Sequence, residues 1–206
     1  MLRASLKRRR AQARLLPEGA RAGTLEAMID VVDAHFGGQL AIGNKDDALF
    51  AVQGQGNYGL VVFAAKEVRP PEQAFVDRVA KRGVRMQYVP LLDQYELAND
   101  ERFALSVNVP LIASAYRRGA RVLVTCNLGI NRSAFVTALV LDAVHGYGGG
   151  EALRVVRTRR VRGKPLANAF YASVLEQRAP RCLVHEDCRE TLALGQACAA
   201  GRRQTG

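Results

Sequence analysis

The stretch RVLVTCNLGINRSA, residues 121–134, decides how the chain is read. Val122 to Val124 form an apolar run of strand character that ends on Thr125 and Cys126. A loop with one glycine, Gly129, follows, and Arg132 and Ser133 then open a second apolar stretch. A loop joining a strand to a helix N-terminus can turn its backbone N–H groups inward and cradle an anion. Gly129 allows a positive φ or a close approach of backbone to ligand. Arg132, in the first turn of the expected helix, presents a planar fork suited to two oxygens of a phosphate. Cys126 lies at the bottom of that field, and helix N-termini and nearby cations are what activate thiols as nucleophiles. Together these parts describe a nucleophile facing a bound phosphate.

Working outward, RVLVTC reads as a strand and 132–145 as a helix, which GYGGG breaks before a further helix over EALRVVRTRR. Toward the N-terminus, Thr24 is placed to cap a helix through LEAMIDVVDAHF, with Leu25, Met28, Ile29, Val32 and Phe36 on a helical period and Gly37-Gly38 as its stop. QLAIGN reads as the first strand, turned by Asn44, and Asp46-Asp47 open a short helix as N-terminal acids. GLVVFAA (59–65) is a continuous apolar run of strand length, suited to burial on both faces. Pro70-Pro71 and Glu72 start a helix through AFVDRVAKRG that Gly83 ends. RMQYVPLL (85–92) is a strand, 93–101 a polar loop, and 101–118 a helix ending at Gly119. ANAFYASVLEQ gives the last amphipathic helix. This alternation predicts an α/β fold, a single domain with a mostly parallel central sheet of about five strands flanked by helices. Ligands gather at the C-terminal strand ends of such sheets, where Asp93 and Cys126 both fall.

A length of 206 residues fits one domain with tails: a basic N-terminal tail or targeting segment (1–23), a catalytic domain (24–178) and a polar C-terminal tail (179–206). The 49% hydrophobic content is that of an ordinary globular chain, and no apolar run reaches the roughly 18 residues a membrane span needs. The net charge of +11 sits at the two ends, because Arg and Lys nearly balance Asp and Glu between 26 and 150. Basic ends can meet an acidic partner, an acidic lipid surface or nucleic acid, or be no more than solvated tails; nucleic acid is the less expected partner. MLRASLKRRRAQARLLPEGARAG suits an organelle-targeting presequence, and its KRRR a nuclear signal, and it lacks the apolar core of a secretory signal. A cytoplasmic, nuclear or organellar setting is the expectation. The four cysteines do not make a disulfide framework.

With the loop in view, the segment resembles the C-x5-R-S/T signature of the cysteine-dependent protein phosphatases, and 24–178 resembles their small dual-specificity branch. QLAIGNKDDA is similar to that family's opening strand and turn, VVFAAKE to its second strand, and VPLLD to the strand that delivers the general acid. EALRVVRTRR and PLANAFYASVL resemble its closing helices. The resemblance implies Cys126 as nucleophile, Arg132 as phosphate clamp, and the backbone amides of Asn127, Leu128, Gly129, Ile130, Asn131 and Arg132 as holders of the phosphoryl oxygens. It implies that Ser133 hydrogen-bonds the sulfur and eases its departure from the thiophosphate. It places Asp93 as the general acid, which an alkoxide leaving group needs, and as the base for hydrolysis of the phosphocysteine. Glu96, Asp100 and Glu101 share its loop, with Asp100 the next candidate. The implied substrate is a phosphorylated protein, met in a shallow pocket open to phosphotyrosine, phosphoserine and phosphothreonine. No metal or other cofactor is implied, since the loop and Arg132 supply the positive charge.

One position departs from the pattern. The family usually has His before the cysteine, and this chain has Thr125. A threonine hydroxyl replaces part of the hydrogen bonding but none of the imidazole's bulk, which predicts a weakened enzyme, with a phosphate-binding module without turnover as the second reading. GINRS also resembles in part the G-x-N-R-T of the RNA 5′-triphosphatases of the same superfamily, and a phosphoinositide substrate fits the same chemistry. Arg157, Arg159 and Arg160 offer a second anion contact or a solvated helix face. Cys182, His185, Cys188 and Cys198 do not have a usual zinc spacing. His35 and His145 fall at expected helix ends and, like Asn44 and Asn168, read as structural.

Overall fold

The computed structural model describes residues 29–68, 73–161 and 163–180. In chain order the elements are β1 (Asp30–Asp33), β2 (Gln39–Gly43), α1 (Lys45–Val52), a 3₁₀ turn (Gln55–Asn57), β3 (Leu60–Phe63), α2 (Gln73–Ala80), β4 (Arg85–Tyr88), α3 (Asn99–Arg117), β5 (Arg121–Thr125), α4 (Arg132–His145), α5 (Gly149–Arg159) and α6 (Ala169–Glu176). The five strands form one sheet in the order β1-β2-β5-β3-β4, parallel except that β1 runs antiparallel to β2.

β5 is the central strand, with Thr125 in register with Gly43 of β2 on one side and Phe63 of β3 on the other. Its side chains alternate between two cores. Val122 and Val124 join residues of α3, α4, α5 and α6, whereas Leu123 joins residues of α1 and Val79 of α2. Both faces are thus covered, which is why β3 and the Val122–Val124 part of β5 read as continuous apolar runs. α4 is buried at Arg132 through Asp142 and again at Val144, as expected of a helix enclosed on all sides. Asn44 caps α1: its side chain accepts from the backbone N–H groups of Asp46 and Asp47, while Asp47 accepts from the Asn44 N–H at 2.8 Å.

The helix expected over 25–36 is corrected where the chain is described, since Asp30–Asp33 is a strand. Pairing of Asp30 with Ile42 and Val31 with Ala41 satisfies its backbone on a sheet edge, and adjacent β-branched valines suit that pleat. The apolar period misled because Val32 alone of the two valines is buried, while Val31 faces outward. His35 accordingly sits in the β1–β2 turn and not at a helix end. The strand expected over 85–92 is shorter, Arg85–Tyr88, and Pro90 has no N–H with which to extend it. The helix expected from 101 begins two residues earlier, at Asn99. The Thr24 cap, the basic segment before residue 26, Pro70-Pro71-Glu72 and the Cys182–Cys198 cluster lie outside the described residues.

Candidate active site

β5 ends at the edge where β2 and β3 also end, so the loop after Thr125 emerges at the C-terminal side of the parallel strands. Cys126 is 2% exposed, at the floor of a cavity of about 230 Å³ lined by Asp93, Cys126, Asn127, Leu128, Ile130, Asn131 and Arg132. The Gly129 N–H points at the Cys126 sulfur, N to Sγ 3.2 Å, and the Ser133 Oγ lies 3.3 Å from it, so two groups of the loop and helix face the sulfur. The loop curls back because Gly129 takes φ +70°, and a Cβ there would stand 2.7 Å from the Gly43 carbonyl oxygen and 2.8 Å from an Arg160 terminal nitrogen. The outer residues of the loop are also fixed: the Asn127 carbonyl accepts from the Lys45 N–H (3.4 Å) and the Ile130 carbonyl from the Leu166 N–H (3.1 Å). Leu128 is the exposed member.

Arg132 is buried and donates through one terminal nitrogen to Glu67 (2.5 Å) and to the Leu91 carbonyl (3.4 Å). Its Nε is buried with no partner among the described residues. Burial pulls this guanidinium down, but the hydrogen bond to Glu67 and the fields of Cys126, Glu67 and Asp93 outweigh it and raise it above the ordinary arginine value. It stays cationic. An orphaned donor on a buried cation beside an anion-sized cavity is the arrangement a bound phosphate would complete.

Asp93 is exposed at the mouth, and its carboxylate accepts from the side-chain amides of Asn131 (3.0 Å) and Asn168 (2.9 Å). Asn168 also donates to the Gln94 carbonyl and caps α6 through its Oδ1, so one residue anchors the loop that carries Asp93 to the closing helix. Beneath the loop, the buried Glu101 accepts from the backbone N–H groups of Leu92 (2.6 Å) and Ala98 (2.9 Å), and the Tyr171 hydroxyl donates to the Leu92 carbonyl. Burial first, then the charges of Asp93 and Glu101, push the Tyr171 phenol up, which keeps it a donor. Asp100 instead accepts from the Glu101 N–H at the start of α3, and neither it nor Glu96 lines the cavity. Replacing Asn168 with alanine is expected to remove about 1 kcal/mol of capping. It should also lower kcat about tenfold with little change in KM, through looser placement of Asp93; steady-state kinetics with urea unfolding checks both.

Thr125 is fully buried, and its hydroxyl donates to the Val62 carbonyl across the sheet at 3.0 Å. The hydroxyl is spent on the β3–β5 pair and does not take an imidazole's place at the sulfur. Thr125→Val is therefore expected to lower stability by about 1 kcal/mol and to leave any turnover within about threefold, since no residue lining the cavity loses a partner. A large loss of turnover with unchanged stability would contradict this.

Sequence reasoning read Asn168 as structural, and its cap agrees with that, but its bond to Asp93 was missed, as was Glu67; Arg160 was named only as a second anion contact or part of a solvated helix face. Glu67 sits just beyond the second apolar strand, and only its place in VVFAAKE marked it. Arg160 is not a solvated charge: it is 5% exposed, donates to Asp30 (2.6 Å), to the Gly129 carbonyl (3.2 Å) and to the Ile42 carbonyl (3.3 Å), and so ties the loop to β1 and β2.

Cysteine at a strand end, a turn that aims the Gly129 N–H at its sulfur and a buried arginine on the next helix sit here on the fold of the dual-specificity phosphatases. Human DUSP28 is similar at 23% identity and a TM-score of 0.56, over 72% of this chain and 90% of that one. The active form of Tk-PTP is similar at 22% identity and a TM-score of 0.56, over 73% and 95%. PTPMT1 in complex with PI(5)P is similar at 19% identity and a TM-score of 0.56, over 82% and 99%. No family model and no curated protein matches the sequence. Among the described residues no helix is long and apolar enough to cross a membrane.

Proposed function

We propose that this chain is a cysteine-dependent phosphatase of the dual-specificity branch, hydrolysing phosphotyrosine and phosphoserine or phosphothreonine in proteins. The observation that carries the reading is the Cys126 sulfur on the cavity floor, flanked by the Gly129 N–H and Ser133, with the Nε of Arg132, unpartnered among the described residues, buried on a residue that lines the same cavity. In the first step the Cys126 sulfur attacks phosphorus, the phosphorus–oxygen ester bond breaks, and Asp93 gives its proton to the departing oxygen. The loop amides and Arg132 hold the three phosphoryl oxygens as charge redistributes. In the second step Asp93 takes a proton from water as the water oxygen attacks phosphorus. The sulfur–phosphorus bond then breaks, with Ser133 donating to the leaving sulfur.

A phosphoinositide substrate is the second reading, favoured by the likeness to PTPMT1, which was solved with PI(5)P. The test is phosphate release from an aryl phosphate, a dually phosphorylated peptide, phosphoinositide vesicles and triphosphate-ended RNA, each with wild type and Cys126→Ser. Fastest Cys126-dependent release from the peptide is the expected result. Preference for the lipid or the RNA reassigns the substrate. Absence of Cys126-dependent release from all four, with phosphate still bound, leaves a phosphate-binding module and ends the enzymatic reading.

A further inference from the structure

At the opposite end of α4 from the loop, three side chains that the reaction does not use converge. Asp33 ends β1, His35 lies in the turn after it, and His145 is the last residue of α4. Fourteen helical residues separate this end from Arg132 by about 20 Å. His35 Nδ1 contacts one oxygen of the Asp33 carboxylate, and His145 Nε2 lies 2.7 Å from the other. One ligand atom from each of the three lies within 4.8 Å of the other two. From this convergence we propose that Asp33, His35 and His145 form a binding site for a divalent zinc-class cation, distinct from the phosphate loop.

Two imidazole nitrogens and one carboxylate oxygen are the donor set that borderline divalent ions take, with a fourth position left to water. A metal about 2.0–2.2 Å from each ligand needs its donors about 3.3 Å apart, which small side-chain rotations from the present contacts provide. The supporting groups are in place. The Tyr116 hydroxyl donates to Asp33 at 2.9 Å and accepts from the His35 backbone N–H at 2.7 Å, which orients carboxylate and turn together. The His145 ring stacks on Tyr147 (centroids 4.7 Å apart) and on Phe36 (5.9 Å). Phe36 holds φ +56°, a left-handed conformation rare for an aromatic residue, and this turn keeps His35 beside Asp33. The carbonyl end of α4 adds favourable potential for a cation. The site is closed on the Asp33 and His145 side and open at His35, whose side chain is 61% exposed, so an ion has a way in. Bound metal would pin the β1–β2 turn to α4.

The test uses the full chain, stripped of metal, titrated with zinc against a chromophoric chelator and separately with cobalt. One equivalent with the weak visible bands of a nitrogen and oxygen site is expected, with affinity reduced roughly 100-fold in His35→Ala and His145→Gln. Zinc should also raise the melting temperature of wild type but not of His35→Ala. His35→Ala truncates a mostly exposed side chain, so it decides the matter even if His145→Gln fails to fold. Absence of binding in wild type, equal affinity in His35→Ala, or an intense thiolate-to-cobalt band, which would put the metal on cysteine, each overturns the proposal.

Discussion

Cys126→Ser is expected to lower turnover by at least about 10⁴-fold on every substrate while the protein stays folded. Cys126 Sγ lies at the cavity floor, and the groups around it are set for sulfur: the Gly129 N–H at 3.2 Å and the Ser133 hydroxyl at 3.3 Å. A serine oxygen would accept the same hydrogen bonds, so stability should hold. The lost property is nucleophilicity, because a neutral alcohol oxygen attacks phosphorus far less readily than sulfur does. Rapid denaturation during turnover of labelled substrate should trap phosphate on wild-type Cys126 and not on the variant. A variant retaining more than a hundredth of wild-type activity would show that another group attacks.

Arg132→Lys is expected to reduce kcat/KM by about 10³-fold. The guanidinium now spends one terminal nitrogen on Glu67 and the Leu91 carbonyl and keeps a buried Nε without a partner among the described residues. A lysine retains the charge but presents a single ammonium, so it cannot hold Glu67 and grip two phosphoryl oxygens in one plane. Because that grip strengthens as charge builds in the transition state, kcat should fall with KM only modestly raised. Competitive inhibition by an oxyanion that mimics the transition state should weaken by a similar factor. Activity within tenfold of wild type would mean that Arg132 supplies only diffuse charge.

The two variants touch the part of the site that was legible from 121–134. Strand, turn and helix lie in one contiguous segment, so the spacing of Cys126, Gly129, Arg132 and Ser133 places them with local backbone geometry. The same holds for the strand over 39–43 with its Asn44 cap, and for β3, where burial on both faces leaves an unbroken apolar run. Asp93 was legible as a carboxylate in the loop after β4, five residues beyond its end at Tyr88. β1 was misread because a four-residue edge strand carries too few residues to separate a period of 2 from one of 3.6.

What the sequence determined by itself is therefore the α/β layering and the loop that presents Cys126. The tertiary structure alone decided what holds that loop and Asp93. Glu67 meets Arg132 across 65 positions, Asn168 reaches Asp93 across 75, and Asp30 pairs with Arg160 across 130. Asp33 likewise meets His145 across 112 positions. Such pairs leave no period or spacing in the chain, since each partner is chosen by the order in which strands enter the sheet. A polar side chain that will be buried against a distant element looks, along the sequence, like any solvated one.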